Sequence, residues 1–153
     1  MLSALLVAGL IFTAAVLLHF GELPAFLSPA ASLGKAATIE GKVTSGGTEQ
    51  KVSVVATVPE KAKVTEQKAK QQQLVTVLVQ VRNAAAVPVS VAGGEQKLKT
   101  GLAHTYKSRS QGTVEVAAGR TRTVKLQFLV PDGEDPGTLT LRVAGKDHKF
   151  AVN

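Results

Sequence analysis

Two histidines, His104 and His148, and the acidic run "DGEDPG" with Asp132, Glu134 and Asp135 are the residues in the body of this chain that could carry acid–base or metal chemistry. Neither histidine has a second ligand at metal-binding spacing. There is no H-E-x-x-H, and the absence of cysteine excludes a thiolate zinc site, a thiol nucleophile and a lipidated cysteine. In "HKFAV", His148 falls in phase with Phe150 and reads as a packed or strand-end residue. In "GLAHTY", His104 reads as an exposed loop residue. Carboxylates in a loop suit a weakly held Ca²⁺, but the order of "DGEDPG" is not that of an EF-hand, and its residues are ordinary turn formers. The nucleophile elbow, the phosphate-binding loop and the dinucleotide fingerprint are missing. The expectation is a protein that is not an enzyme, with no cofactor, no bound metal and no identified small-molecule substrate.

Charge offers a different kind of site. Lys and Arg number 18 against 11 Asp and Glu, a net charge of +7, and every basic side chain lies from Lys35 onward. The segment "PEKAKVTEQKAKQQQ", residues 59–73, is almost free of apolar side chains and carries Lys61, Lys63, Lys68 and Lys70. It reads as a solvated connection or a short exposed helix, and in the sharper reading as a docking loop for an anionic partner or lipid headgroups. Nucleic acid is not an expected partner. Stacking needs exposed aromatics beside basic groups, and Tyr106, near Lys107 and Arg109, stands alone in that role because Phe128 and Phe150 fall in core phases.

The elements that would position these residues are of two kinds. The first twenty residues, "MLSALLVAGLIFTAAVLLHF", hold no charged side chain. At 1.5 Å per residue, about twenty helical residues span roughly 30 Å, the hydrocarbon thickness of a bilayer. Residues 1–27 therefore read as a transmembrane anchor. Leu5, Leu6, Leu10, Ile11, Phe12, Val16, Leu17, Leu18 and Phe20 supply its apolar surface, and Ala4, Ala8, Gly9, Ala14 and Ala15 a face for close helix packing. The alternative is a signal peptide cleaved after about Ala30, its apolar stretch exceeding the ~7–15 residues usual for such peptides. Only Lys35 lies close on the C-terminal side, a count too thin to orient the anchor when long domains cross regardless of flanking charge. The expected topology is a single pass through the cytoplasmic membrane, N-terminus inside, with the domain on the periplasmic or extracellular side. Residues 28–37 read as a linker.

Residues 38–153 consist of short alternating runs. Val52, Val54, Ala56 and Val58 share one face; so do Val75, Val77, Val79 and Val81, then Val124, Leu126, Phe128 and Val130, and then Leu139, Leu141 and Val143. This period of two marks half-buried strands, and glycine-rich turn signals separate the runs. The expectation is an all-β, immunoglobulin-like β-sandwich of about seven to nine strands. Asn83 reads as the exit of the strand over residues 75–81. Pro88, in the following strand over residues 87–91, demands an edge or a strand start.

The order of "LVTVLVQVRNAAAVPVSV", "QKLKTGLAHTY" and "VEVAAGRTRTVKLQFLVP" resembles a bacterial Ig-like exported domain of lipoproteins and membrane-tethered envelope proteins, a domain of unknown function. The matching positions run from Val52 to Val143 and include Asn83, Leu98, Tyr106, Gly119 and Pro131. The resemblance implies a sandwich outside the cytoplasmic membrane and no shared catalytic residues. This chain departs from it in lacking the cysteine that many relatives lipidate. The resulting expectation is a non-catalytic, membrane-anchored accessory or structural subunit of a membrane protein complex, contacting other subunits through helix and sandwich. The alternatives are a soluble periplasmic or secreted binding protein, and an envelope hydrolase using Ser, His and carboxylates that show no spacing logic.

Overall fold

The computed structural model describes residues 29–67 and 70–153. Eleven strands follow one another: β1 Ala36–Ser45, β2 Thr48–Thr57, β3 Lys63–Gln67, β4 Gln72–Asn83, β5 Val89–Ala92, β6 Lys97–Thr100, β7 Thr105–Lys107, β8 Thr113–Val116, β9 Thr121–Pro131, β10 Pro136–Val143 and β11 Lys146–Ala151. Among the described residues no helix is long and apolar enough to cross a membrane. The anchor and its packing face, residues 4–20, lie outside the described residues.

Strand β4 organises the first sheet. Its alternate residues Val75, Val77, Val79 and Val81 are fully buried, as the period of two requires. One edge of β4 pairs antiparallel with β9 from Gln72–Pro131 to Arg82–Thr121. The opposite edge is divided between β3, from Thr76 to Gln72, and β2, from Gln80 to Asn83. Beyond β2 lies β1, paired from Ala36–Thr57 to Ser45–Thr48. The second sheet has the order β11-β10-β6-β7, and a two-stranded sheet joins β5 to β8. Apolar faces of both larger sheets meet in one core whose largest buried side chains are Phe128, Phe150, Leu98, Leu126, Leu139 and Leu141. The fold is a β-sandwich.

Three expectations change. Among the described residues the strand count is eleven, above the seven to nine read from alternation, because β3 and β7 lack the apolar signature of half-buried strands. The described part of the connection over residues 59–73 is largely a strand and not one long loop. Residues Lys63–Gln67 form an edge strand on β4, and four of its five side chains are exposed, which is why a polar composition is tolerated. The stretch read as a linker already belongs to the sandwich. Ala31 bridges Phe150 in parallel, donating from its N–H to Lys149 O (2.8 Å) and accepting from Ala151 N–H (2.8 Å), and β1 begins at Ala36.

The exposed edge of β9 is covered by the Arg109 backbone and the Ser110 side chain rather than by a strand. Arg109 N–H donates to Gln127 O (2.7 Å), Ser110 Oγ donates to Lys125 O (3.1 Å), and Gln127 N–H donates to Ser110 Oγ (2.9 Å). Open ladder groups are thereby satisfied without extending the sheet.

Candidate functional site

The most concentrated polar chemistry sits at one end of the sandwich, where the β6–β7 and β9–β10 turns meet the start of β4. After Thr100 the chain reverses tightly. Thr100 N–H donates to His104 O (2.9 Å), Ala103 N–H donates to Thr100 O (3.0 Å), and Ala103 takes a left-handed φ of 66°. Gly101 N–H donates to Asp135 O (2.9 Å) and joins this turn to the next one. In "DGEDPG" Asp132 and Asp135 face solvent, whereas Glu134 turns inward and is buried.

The Glu134 carboxylate collects three partners. Thr100 Oγ1 donates to Oε2 at 2.7 Å, Tyr106 OH donates to Oε1 at 3.0 Å, and His104 Nδ1 lies 2.8 Å from Oε1. The Glu134 backbone carbonyl accepts from Gln73 Nε2, which reaches over from β4. The Thr100 hydroxyl bond, more than the contacts to His104 and Tyr106, holds the Glu134 carboxyl below its usual range, while burial opposes it. Burial, then the bond to Glu134 and its negative charge, push the Tyr106 hydroxyl upward. The cluster thus holds a carboxylate whose ionised form the fold favours.

Two expectations for these residues are corrected. His104 is not merely an exposed loop residue. Its side chain is 60% accessible, yet its ring is fastened to Glu134. Glu134 is not a solvated turn residue beside Asp132 and Asp135, and among the described residues no three acidic or histidine side chains gather to hold a metal. Tyr106 is half-buried with its hydroxyl spent on Glu134, so it is not a free stacking platform. His148 is half-buried against Phe150, ring centroids 5.1 Å apart, and burial lowers its pKa. Chemically, a carboxylate on Nδ1 orients an imidazole with Nε2 outward, the arrangement of a base and its orienter. The adjacent Thr100 hydroxyl is bonded to the carboxylate and not to the imidazole, so the hydroxyl–imidazole contact that would activate a nucleophile is missing from this cluster.

Acid should expose the contribution of this cluster. A carboxyl whose folded pKa lies below its unfolded value, near 4.5, adds stability that is complete above that value and is lost as pH falls toward the folded pKa. The gap in urea midpoint between wild type and Glu134→Gln is therefore expected to be widest near neutrality and to narrow below pH 4.5. Parallel midpoint curves would assign the acid sensitivity to other carboxyls.

The basic residues singled out in residues 59–73 are only partly brought together. Lys61 and Lys63 line a depression of about 450 Å³ on the outer face of β3, β4 and β9, with Lys125, Glu60, Thr76 and Leu78. Lys63 stands on a strand rather than in a loop, Lys70 is exposed in the turn before β4, and Lys68 lies outside the described residues. A cleft of about 440 Å³ at the opposite end includes Lys42, Glu95 and Arg142. Its charges are balanced by the pairs Lys42–Glu49 (2.8 Å), Arg142–Glu95 (3.9 Å) and Arg142–Asp147 (3.6 Å).

Sequence reasoning missed Thr100, Gln73 and Gln96. One signal was available for all three, a polar residue in the phase of buried neighbours. Gln73 is in step with Val75, and Gln96 and Thr100 are in step with Leu98.

No protein-family model and no curated protein matches the chain. Among solved structures it is similar to a "putative lipoprotein" of Bacillus subtilis subsp. subtilis str. 168, at a TM-score of 0.50 and 15% identity, over 65% of this chain and 36% of that one. It is also similar to an uncharacterized β-sandwich protein of Clostridium difficile 630, at a TM-score of 0.44 and 10% identity, over 86% of this chain and 100% of that one. The chain thus spans 36% of the length of the Bacillus protein, and the likeness is one of fold.

Proposed function

We propose that this chain is a membrane-anchored envelope protein whose sandwich, immunoglobulin-like in kind, acts as a non-catalytic accessory or structural subunit of a membrane protein complex. The observation that carries the reading is the Glu134 cluster. Its Thr, Tyr, His and Gln partners fasten three turns and strands to one carboxylate and one carbonyl, which is the work of a staple. Function on such a scaffold falls to its faces, edges and loops. The uncharged first twenty residues support attachment to a membrane, and the fold shared with part of the Bacillus protein is in keeping with an exported domain. Lys61 and Lys63, beside the depression they share with Leu78 and Lys125, would serve as one contact for a neighbouring acidic subunit.

Carbonate washing of native membranes, followed by intact mass and by sedimentation in mild detergent, tests this reading. The expected result is retention at full mass within an assembly larger than the chain itself. Release of a product lacking the first ~30 residues would make it a soluble binding protein of the exported type. Retention as a lone monomer would remove the accessory role. The rival hydrolase reading would draw on His104 oriented by Glu134. A hydrolytic turnover lost in a folded His104→Gln variant would replace the proposal.

A further inference from the structure

The outward face of the second sheet carries a row of lysines that no fold contact uses. In register, Lys107 of β7 stands opposite Lys97 of β6, Lys97 opposite Thr140 of β10, and Thr140 opposite Lys149 of β11. One step along, Lys99 pairs with Thr105 on one side and Thr138 on the other. The intervening residues Leu98, Leu139 and Phe150 are buried, so these lysines and threonines point to solvent. With strands about 4.8 Å apart, three ammonium groups share one line of roughly 14 Å. Like charges directly opposite one another are unfavourable in a sheet, so Lys97 beside Lys107 is not there for stability. Two acidic groups adjoin the row, Glu95 beside Lys97 and Lys107 and Asp147 on β11, and both are paired with Arg142. Among the described residues none of the four lysines makes an ion pair.

We propose that this face, Lys97, Lys99, Lys107 and Lys149, docks on an anionic phospholipid surface. The face is open and its centre is made of Lys and Thr, with a shallow depression of about 290 Å³ where Lys97 and Lys107 meet Glu95 and Arg142. It has no aromatic for stacking bases and no apolar centre that a protein interface would bury. Compact, mobile ammonium groups suit a surface of diffuse anions, where each contributes independently. The N-terminal chain joins this same sheet at its β11 edge through Ala31, so the uncharged first twenty residues lead to the sheet that bears the lysines. The choice of lipid rests on the membrane-anchored reading; the exposure and charge of the face do not.

The chain has no cysteine, so Thr140→Cys and Thr76→Cys each give one labelling site, on the second sheet and on the outer face of the first. Full-length labelled protein is mixed with vesicles of phosphatidylcholine alone or with phosphatidylglycerol, both carrying a quenching lipid. Quenching at position 140 is expected on the anionic vesicles, relieved by salt, with position 76 unaffected. Replacing all four lysines by Gln, which also relieves the Lys97–Lys107 repulsion, should abolish the preference. At about fivefold per lysine near the surface, the loss is on the order of hundreds-fold. Equal quenching at position 140 on neutral vesicles, quenching at position 76 instead, or stronger protection of position 140 by duplex DNA or polyglutamate would each overturn the proposal. Failure to associate with either vesicle would overturn the anchor reading along with it, whereas association without preference would overturn the lysine face alone.

Discussion

Replacing Asn83 with alanine is expected to destabilise the sandwich by about 4 kcal/mol, from three lost hydrogen bonds and the buried groups they leave unpaired. Asn83 is fully buried at the end of β4. Its Nδ2 donates to Val87 O (2.7 Å) and Val116 O (2.9 Å), using both hydrogens, and its Oδ1 accepts from Ala85 N–H (2.9 Å). One side chain therefore closes the turn after β4 and holds the two-stranded β5–β8 sheet against it. Asn83→Asp keeps the shape and the bond to Ala85, but it turns an oxygen toward two carbonyls, so it should lose nearly as much. Equilibrium urea unfolding with an unchanged m value measures both. A loss below about 1 kcal/mol would mean that water takes over these partners. Against a total stability of about 5–15 kcal/mol the expected loss is a large fraction.

Gln96→Ala is expected to cost about 3 kcal/mol, and its signature is local as well as global. Pairing between β10 and β6 ends at Thr140–Lys97. The next partner for Arg142 would be Glu95, but residues Gly93–Glu95 form a single 3-10 turn and leave the ladder. The Gln96 side chain fills the gap as a peptide unit would. Its Oε1 accepts from Arg142 N–H (2.6 Å), and its Nε2 donates to Arg142 O (3.1 Å) and Ala92 O (2.7 Å). Hydrogen exchange at the Arg142 amide should accelerate in Gln96→Ala beyond the change at Leu139 and Leu141. Uniform acceleration along β10 would show that Gln96 acts only through global stability.

Asn83 and Gln96 also show where a single sequence is legible. The strands whose two faces differ in solvent contact, β2, β4, β9 and β10, could be read from alternation because burial selects every second residue. Asn83 could be read as a strand exit because two of its three bonds are local, reaching two and four residues ahead; its bond to Val116, 33 residues away, could not. The reading of Pro88 was sound for a similar reason. β5 starts at Val89, so the proline precedes the ladder it could not join. Strand β3 was hidden because an edge strand with both faces in solvent has no phase to display. The Glu134 cluster was hidden by distance along the chain. Its carboxylate meets groups 28 to 34 residues away, and nothing in "DGEDPG" says which of three acidic side chains will turn inward.

The parallel bridge at Ala31 has a mechanical meaning. The chain runs through Ala31 in the same direction as β11, whereas β1 runs back the other way, its Lys42 N–H donating to Ala144 O just ahead of β11 (3.1 Å). A pull on the chain ahead of Pro29, directed back along the strand axis, loads the two bonds of Ala31 in shear, so both must yield together. Once they do, the same force reaches the Gly34 N–H bond to Val58 O (2.8 Å) and then peels β1 from β2 one pair at a time from Ala36–Thr57. A strand that parts from its neighbour pair by pair is thus preceded by a short clamp loaded in shear.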